Sequence, residues 1–340
     1  MRTIHWLTLL RVVNIILVVM FHVQLIDMST GQNHSFCRYI SEPFTPIRMP
    51  LFIFLSGGLL YLSRIQKGIQ TRELYKDKLQ RIMIPFVFFV NLYFIIKALL
   101  NNYVKTPINF SLDYYLESYI IYGNHPSAHL WFLPTLMTLM LFYPLYRQSC
   151  SKVWIMVITA FFSIALFFCD TRLLYPYNYF NIVNLNKYFV YFFLGIVFFK
   201  YSVYKYLGRA WVSIILSIMY SILYVANTPL LTSTCGILST VSLAMLVSKR
   251  LSIKLSFISN RIYQIYLMSF IFQPFVELVL WKKIFYNEQF FLFFYILNVT
   301  CGILGPILVS IAAEHSPYKI VRMCFGIKPQ ANTSVFHNNS

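Results

Sequence analysis

Charge is what this sequence has least of. Only 11% of its 340 residues are Asp, Glu, Lys or Arg, and just 10 are acidic. A soluble domain of this size carries about 25%, so a set of soluble domains is excluded. The six cysteines, Cys37, Cys150, Cys169, Cys235, Cys301 and Cys324, show no C-x-x-C spacing, and several sit in apolar runs. They read as small buried hydrophobes, not as a disulfide framework or a metal site, and no metal is expected. No Ala-x-Ala type cleavage site follows the first apolar run, so that run is expected to remain as a membrane span. Repeats of fixed period, inverted pairs of segments and low-complexity tracts are also missing. Their absence removes the usual sequence mark of a transporter scaffold.

What is present is apolar: 59% of the residues are hydrophobic and 19% aromatic. Runs of bilayer-spanning length recur from end to end, which predicts an all-α polytopic membrane protein. Ten spans are expected, at 7–26, 45–63, 82–101, 128–146, 153–169, 186–201, 211–226, 230–247, 258–281 and 290–313. Residues 1–328 then form one transmembrane domain, and 329–340 a disordered cytoplasmic tail. With both termini cytoplasmic, 19 of the 28 Lys and Arg residues fall on inner segments and seven on outer ones, Arg48 among the latter. Arg11 and Lys97 are the two left over, each four residues from the nearer end of its span, whereas basic residues closer to a span end are counted with the adjoining loop. Retained positive charge orients spans during insertion, so this asymmetry supports that topology. The net charge of +18 is thereby assigned to topology and to lipid headgroups, and no nucleic-acid partner is expected.

The first span, "LLRVVNIILVVMFHVQ" (9–24), holds two ionisable groups. Arg11 and His22 are eleven residues apart, three helical turns plus about 20°, so they share a face about 16 Å apart along the axis. Taken singly, Arg11 fits snorkelling to headgroups and His22 fits an interfacial packing residue. The shared face points instead to a polar cavity crossing much of the membrane. Histidine suits proton transfer near neutral pH and arginine suits an anion or a carbonyl, which together suggest acid–base chemistry within the bilayer.

Four further segments carry a pattern: "MPLFIFLSGGLLY" (49–61), "KLQRIMIP" (78–85), "HLWFLPTL" (129–136) and "ISNRIYQIYLMS" (258–269). With "LRVVNIILVVMFH" they resemble, in order, the motifs of the acyltransferase-3 family, integral membrane proteins that O-acylate carbohydrates. In that family an arginine is followed eleven residues on by a histidine after an aromatic, here Arg11, Phe21 and His22. The resemblance covers most of the chain. It departs at Lys78, which replaces an arginine, and at Ser269, where many relatives carry histidine.

The resemblance implies transfer of an acyl group, acetyl by expectation, to a hydroxyl of a surface polysaccharide or lipid-linked saccharide at the cell (inner) membrane. The donor would be cytoplasmic acyl-coenzyme A, a substrate and not a tightly bound cofactor. His22 would be general base or transient acyl carrier, and Arg11 would bind donor phosphate or the pantetheine carbonyl. Arg72, Lys76, Lys78 and Arg81 lie in an inner loop with six basic residues, either ordinary inside charge or a dock for donor phosphates. Lys78 and Arg81, three apart, are expected on one helical face. Ser56 and Gly57 permit close backbone approach, between helices or around a threaded pantetheine arm. His129 and Trp131 fit an interfacial belt or the acceptor side. Two other classes stay open: an exporter of a saccharide or its lipid carrier, and a structural partner in glycan assembly. The oligomeric state is not readable from the residues.

Overall fold

The computed structural model describes residues 5–26, 33–101, 107–120, 125–170, 178–179, 181–251, 255–284 and 287–327. The expected tail, 329–340, lies outside them. Every named element among the described residues is helical. In chain order these are α1 (His5–Phe21), α2 (Ser35–Ser41), α3 (Thr45–Leu60), α4 (Thr71–Lys78), α5 (Ile84–Leu99), α6 (Leu112–Ile120), α7 (Phe132–Leu141) and α8 (Tyr143–Ser151). The second half holds α9 (Val153–Phe168), α10 (Ile182–Lys200), α11 (Ala210–Val225), α12 (Pro229–Leu251), α13 (Ser256–Ser259), α14 (Ile262–Phe275), α15 (Phe291–Glu314) and α16 (Lys319–Cys324). Wide π-type turns extend α3 over Tyr61–Ile65, lead into α5 over Leu79–Met83 and continue α14 over Val276–Ile284.

Six helical stretches are long and apolar enough to cross a membrane, or seven if the α7–α8 pair, bent by 50°, is one span. Three shorter apolar helices, α1, α9 and α11, fall on the other expected spans. The expected span over 128–146 is therefore a bent pair of helices. Pro144 lacks an N–H and disfavours helical geometry in the residue before it, so the ladder breaks at Phe142.

Helices α9 and α11 turn their apolar residues outwards and their few small polar residues inwards. In α9 only Thr159 and Ser163 are buried, and in α11 only Ser213, whereas Phe161 and Ile222 are exposed. A soluble helix has the opposite polarity; hydrocarbon as the outer solvent explains this one. Inside, hydroxyls bridge helices, with Ser149 to Thr159 at 2.9 Å and Ser217 to Ser239 at 2.8 Å.

Three junctions fix the helices that carry the candidate site. Helices α3 and α10 cross backbone to backbone at Gly57 and Gly195. A Cβ on Gly57 would land on the Phe192 carbonyl, and one on Gly195 on the Phe54 carbonyl. At the second junction Asn14 of α1, fully buried, sits between turns of α3: its amide donates to the Arg48 carbonyl (2.9 Å) and accepts from the Phe52 N–H (3.2 Å). Pro50 lies between those two residues, so a side chain from α1 satisfies backbone groups beside a proline in mid-helix. At the third, Gln273 of α14 donates to the Val19 carbonyl (2.9 Å) and to Asn298 of α15 (3.0 Å), and Asn298 donates back to the Gln273 carbonyl (3.2 Å). That network holds the last turn of α1, where the helix stops at Phe21 and His22 forms a turn, five residues short of the expected helical span.

Candidate active site

Arg11, near the middle of α1, and His22, just past its end, both turn towards the α13–α14 segment. Arg11 donates Nη2 to the Ser259 carbonyl (3.2 Å). His22 meets the edge of Phe270, with ring centroids 5.5 Å apart. Neither residue is aimed at open lipid, and the shared face expected from their spacing is present. A continuous hydrated passage between them is not. Ile15 and Val18, the positions on that face between the two, are 0% and 3% exposed, so apolar packing fills the interval. The structure therefore has two half-sites separated by a closed layer, and this corrects the expected cavity.

The first half-site lies where α1 ends and α3, α7 and α10 begin. Phe270 stands between two imidazoles: His129 stacks flat on it at 4.6 Å and 13°, and His22 approaches edge-on. His129 is held further by Tyr93, 4.1 Å away at 73°, and by its carbonyl, which accepts from the Tyr266 hydroxyl (2.8 Å). The Tyr93 hydroxyl is occupied by the Leu267 carbonyl (2.8 Å). The His129 Nε2 is buried and has no hydrogen-bond partner among the described residues. A buried imidazole nitrogen without a partner is costly unless a ligand supplies one. Trp131 stacks on Tyr188 of α10 at 5.4 Å and 26°. Ser269, at the position where a histidine was noted in relatives, is buried in α14 next to Phe270.

Arg48 belongs to this half-site, and the sequence reading missed it. It was counted with the outer basic residues at the start of the 45–63 span; the structure places it one turn into α3 and turned into this half-site. Its guanidinium lies 3.0 Å over the Phe21 ring, and its charge acts on His22 and on Tyr188. The available signal was an arginine two residues before Pro50 in an apolar segment, the same anomaly that singled out Arg11.

The second half-site lies at the opposite end, where α4 leads into α5 and α16 folds back. A cavity of about 280 Å³ is lined by Asp77, Gln80, Arg81, Lys319, Met323, Gly326 and Ile327. The final segment is anchored there: the Phe325 carbonyl accepts from Gln264 (2.9 Å), and the Phe325 ring packs on Phe88 and Phe89. Arg81 reaches Asp77 at 3.7 Å, and Arg64 binds the same carboxylate oxygen at 2.7 Å. Arg72 and Lys76 line a different, open groove of about 690 Å³ with Thr71, Tyr75, Leu79 and Gln80. Lys78 lines neither. The π turn Leu79–Met83 begins straight after Lys78 and carries Arg81. The six-residue basic loop is thus split between two surfaces.

Ser56 and Gly57 fall between the half-sites. The Ser56 hydroxyl donates back to the Phe52 carbonyl (2.9 Å) and Gly57 is covered by the α10 backbone, so both serve the α3 helix and its crossing in this structure.

The chain matches no curated protein and no solved structure. A family model does match, described as an acyltransferase domain and covering residues 4–315, nearly the whole sequence, with the first half-site and the Asp77–Arg81 side of the second. The five motifs read from the sequence, the all-helical apolar architecture and this match agree: the chain belongs to the acyltransferase-3 family of acyltransferase domains.

Proposed function

We propose that this protein transfers an acyl group, acetyl by preference, from acyl-coenzyme A to a saccharide hydroxyl across ten membrane spans, with both chain ends cytoplasmic in the cell (inner) membrane. The observation that carries this reading is the placement of Arg11 and His22 along one partner segment, Arg11 at Ser259 and His22 at Phe270. Donor phosphates dock in the cleft of Arg81 and Lys319, a surface reachable from the cytoplasm in this topology. Arg11 takes the pantetheine end of the donor. The acceptor, a surface polysaccharide or lipid-linked saccharide, enters at the opposite end and stacks on Trp131.

His22 removes the proton of the attacking hydroxyl, and His129, whose Nε2 is free of protein partners among the described residues, orients that hydroxyl. The extended thioester arm, about 15–20 Å by chain-reach arithmetic, matches the separation of roughly 16 Å between Arg11 and His22. Transfer therefore requires the layer of Ile15 and Val18 to part as the arm enters. The test is His22→Ala assayed for acyl transfer in membranes with acetyl-coenzyme A and glycan acceptor. A fall of about 10²-fold or more is expected for loss of a general base; full activity would remove the assignment.

A further inference from the structure

The acceptor end of the molecule carries positive charge that no carboxylate among the described residues pairs with. Arg48 is half-buried, its Nη1 is buried with no hydrogen-bond partner among the described residues, and its guanidinium is held against Phe21. Lys187, one turn into α10, projects at the rim, 5.8 Å from the Tyr188 ring centroid, with its charge acting on Arg48. The ion pairs among the described residues join Arg64 and Arg81 to Asp77, His125 to Glu117 and Arg261 to Glu314; none involves Arg48 or Lys187. Two like charges brought together in a poorly solvated site repel each other, and a guanidinium N–H buried without a hydrogen-bond partner is destabilising. A protein that keeps both has them face a counter-ion that arrives from outside.

We infer that the acceptor is an anionic saccharide, bearing a carboxylate or a phosphate, whose charged group is bound by Arg48 with Lys187 while its ring stacks on Trp131. The inference rests on the acyl-transfer reading of the same half-site. The platform supports it: Trp131 stacks on Tyr188, and Tyr188 is a neighbour of both Lys187 and Arg48, so ring and charge are recognised side by side. A planar fork over Phe21 presents parallel N–H donors, the geometry that suits a carboxylate or phosphate. A transient oxyanion on the acyl carbon would also suit a guanidinium, but it would not account for the second cation at the rim.

Binding is measured on the purified full chain in detergent micelles, so that the result does not depend on catalysis. The probes are methyl glucuronide and glucose 1-phosphate, with methyl glucoside as the neutral match. At least one anionic probe is expected to bind about tenfold or more tightly than the neutral one, the weight of one charge-assisted hydrogen bond. Which of the two binds better separates carboxylate from phosphate. The preference should disappear in Arg48→Gln and shrink in Lys187→Gln; the latter stands at the rim and keeps the variant set interpretable if Arg48→Gln misfolds. Equal binding of charged and neutral probes to the wild type would overturn the inference while leaving acyl transfer untouched. An Arg48→Gln variant that folds, keeps the anionic preference and loses rate equally on every acceptor would also overturn it, assigning Arg48 to the oxyanion. Loss of acyl transfer with every acceptor, alongside a retained anionic preference, would sink the enzyme reading and not this one.

Discussion

Asn14 completes the hydrogen bonding of a helix to which it does not belong: its amide spans the Arg48 carbonyl and the Phe52 N–H of α3. One buried side chain thereby sets the depth of α1 against α3. It also sets the position of Arg48 relative to Phe21 and His22, which lie farther along the same α1. Replacing Asn14 with leucine keeps the volume and removes both hydrogen bonds. We expect a loss of about 1–3 kcal/mol, read as a lower thermal midpoint in micelles, with a fall in activity at temperatures where the fold persists. An unchanged midpoint would show that the two backbone groups find other partners.

The crossing of α3 and α10 tolerates no side chain. Gly57→Ala and Gly195→Ala each drive a methyl into a carbonyl of the facing helix, and overpacking of this kind costs about 1–3 kcal/mol or more. Ser56→Ala, one residue away, removes only a hydroxyl bonded back to the Phe52 carbonyl of its own helix. Its stability should stay within about 0.5 kcal/mol of wild type. Unfolding curves of the three variants give the answer, and a Gly57→Ala protein as stable as Ser56→Ala would contradict the close crossing.

Phosphate docking is expected to follow the enclosed cleft and not the open groove. Arg81→Glu and Lys319→Glu alter the lining of the 280 Å³ cavity, and each should raise the apparent KM for acyl-coenzyme A about tenfold, with the acceptor KM unchanged. Arg72→Glu, in the open groove with Lys76, should have the smaller effect. The reverse ranking in initial-rate measurements would move the donor to the groove.

His129 and His22 are expected to separate kinetically, although one ring of Phe270 stands between them. His129→Ala should raise the acceptor KM more than it lowers kcat, because its proposed task is orientation. His22→Ala should lower kcat. Identical kinetic signatures in the two variants would mean that the imidazoles act as one unit.

Much of the architecture was legible because a membrane chain writes its fold as hydrophobic length. The helices at the ten expected positions and the common face of Arg11 and His22 follow from hydrophobic length and local periodicity. Arg48 was misread for a definite reason: positive charge near a span end looks the same whether it lies in a loop or one turn inside the helix. The Phe21 ring and the buried Nη1 show that it faces the half-site. The π turn that carries Arg81 was not foreseen, because a π turn has no compositional mark as clear as that of a proline kink. The hydrated passage failed because the face that brings Arg11 and His22 into line also carries Ile15 and Val18, and whether those side chains part or pack depends on the helices opposite.

By itself, then, the sequence determined that this chain is helical and built for hydrocarbon, that it belongs with membrane acyltransferases, and that two ionisable groups share a face of its first span. These are consequences of burial and 3.6-residue periodicity, which act over neighbours along the chain. The tertiary structure decided which groups meet: His22 and His129 on either side of Phe270, Arg48 over Phe21, Arg81 with Lys319 beneath the returning C-terminal helix. Such meetings depend on helices far apart in sequence, fixed by two glycines, a wedged asparagine and a buried glutamine, and no local pattern encodes them.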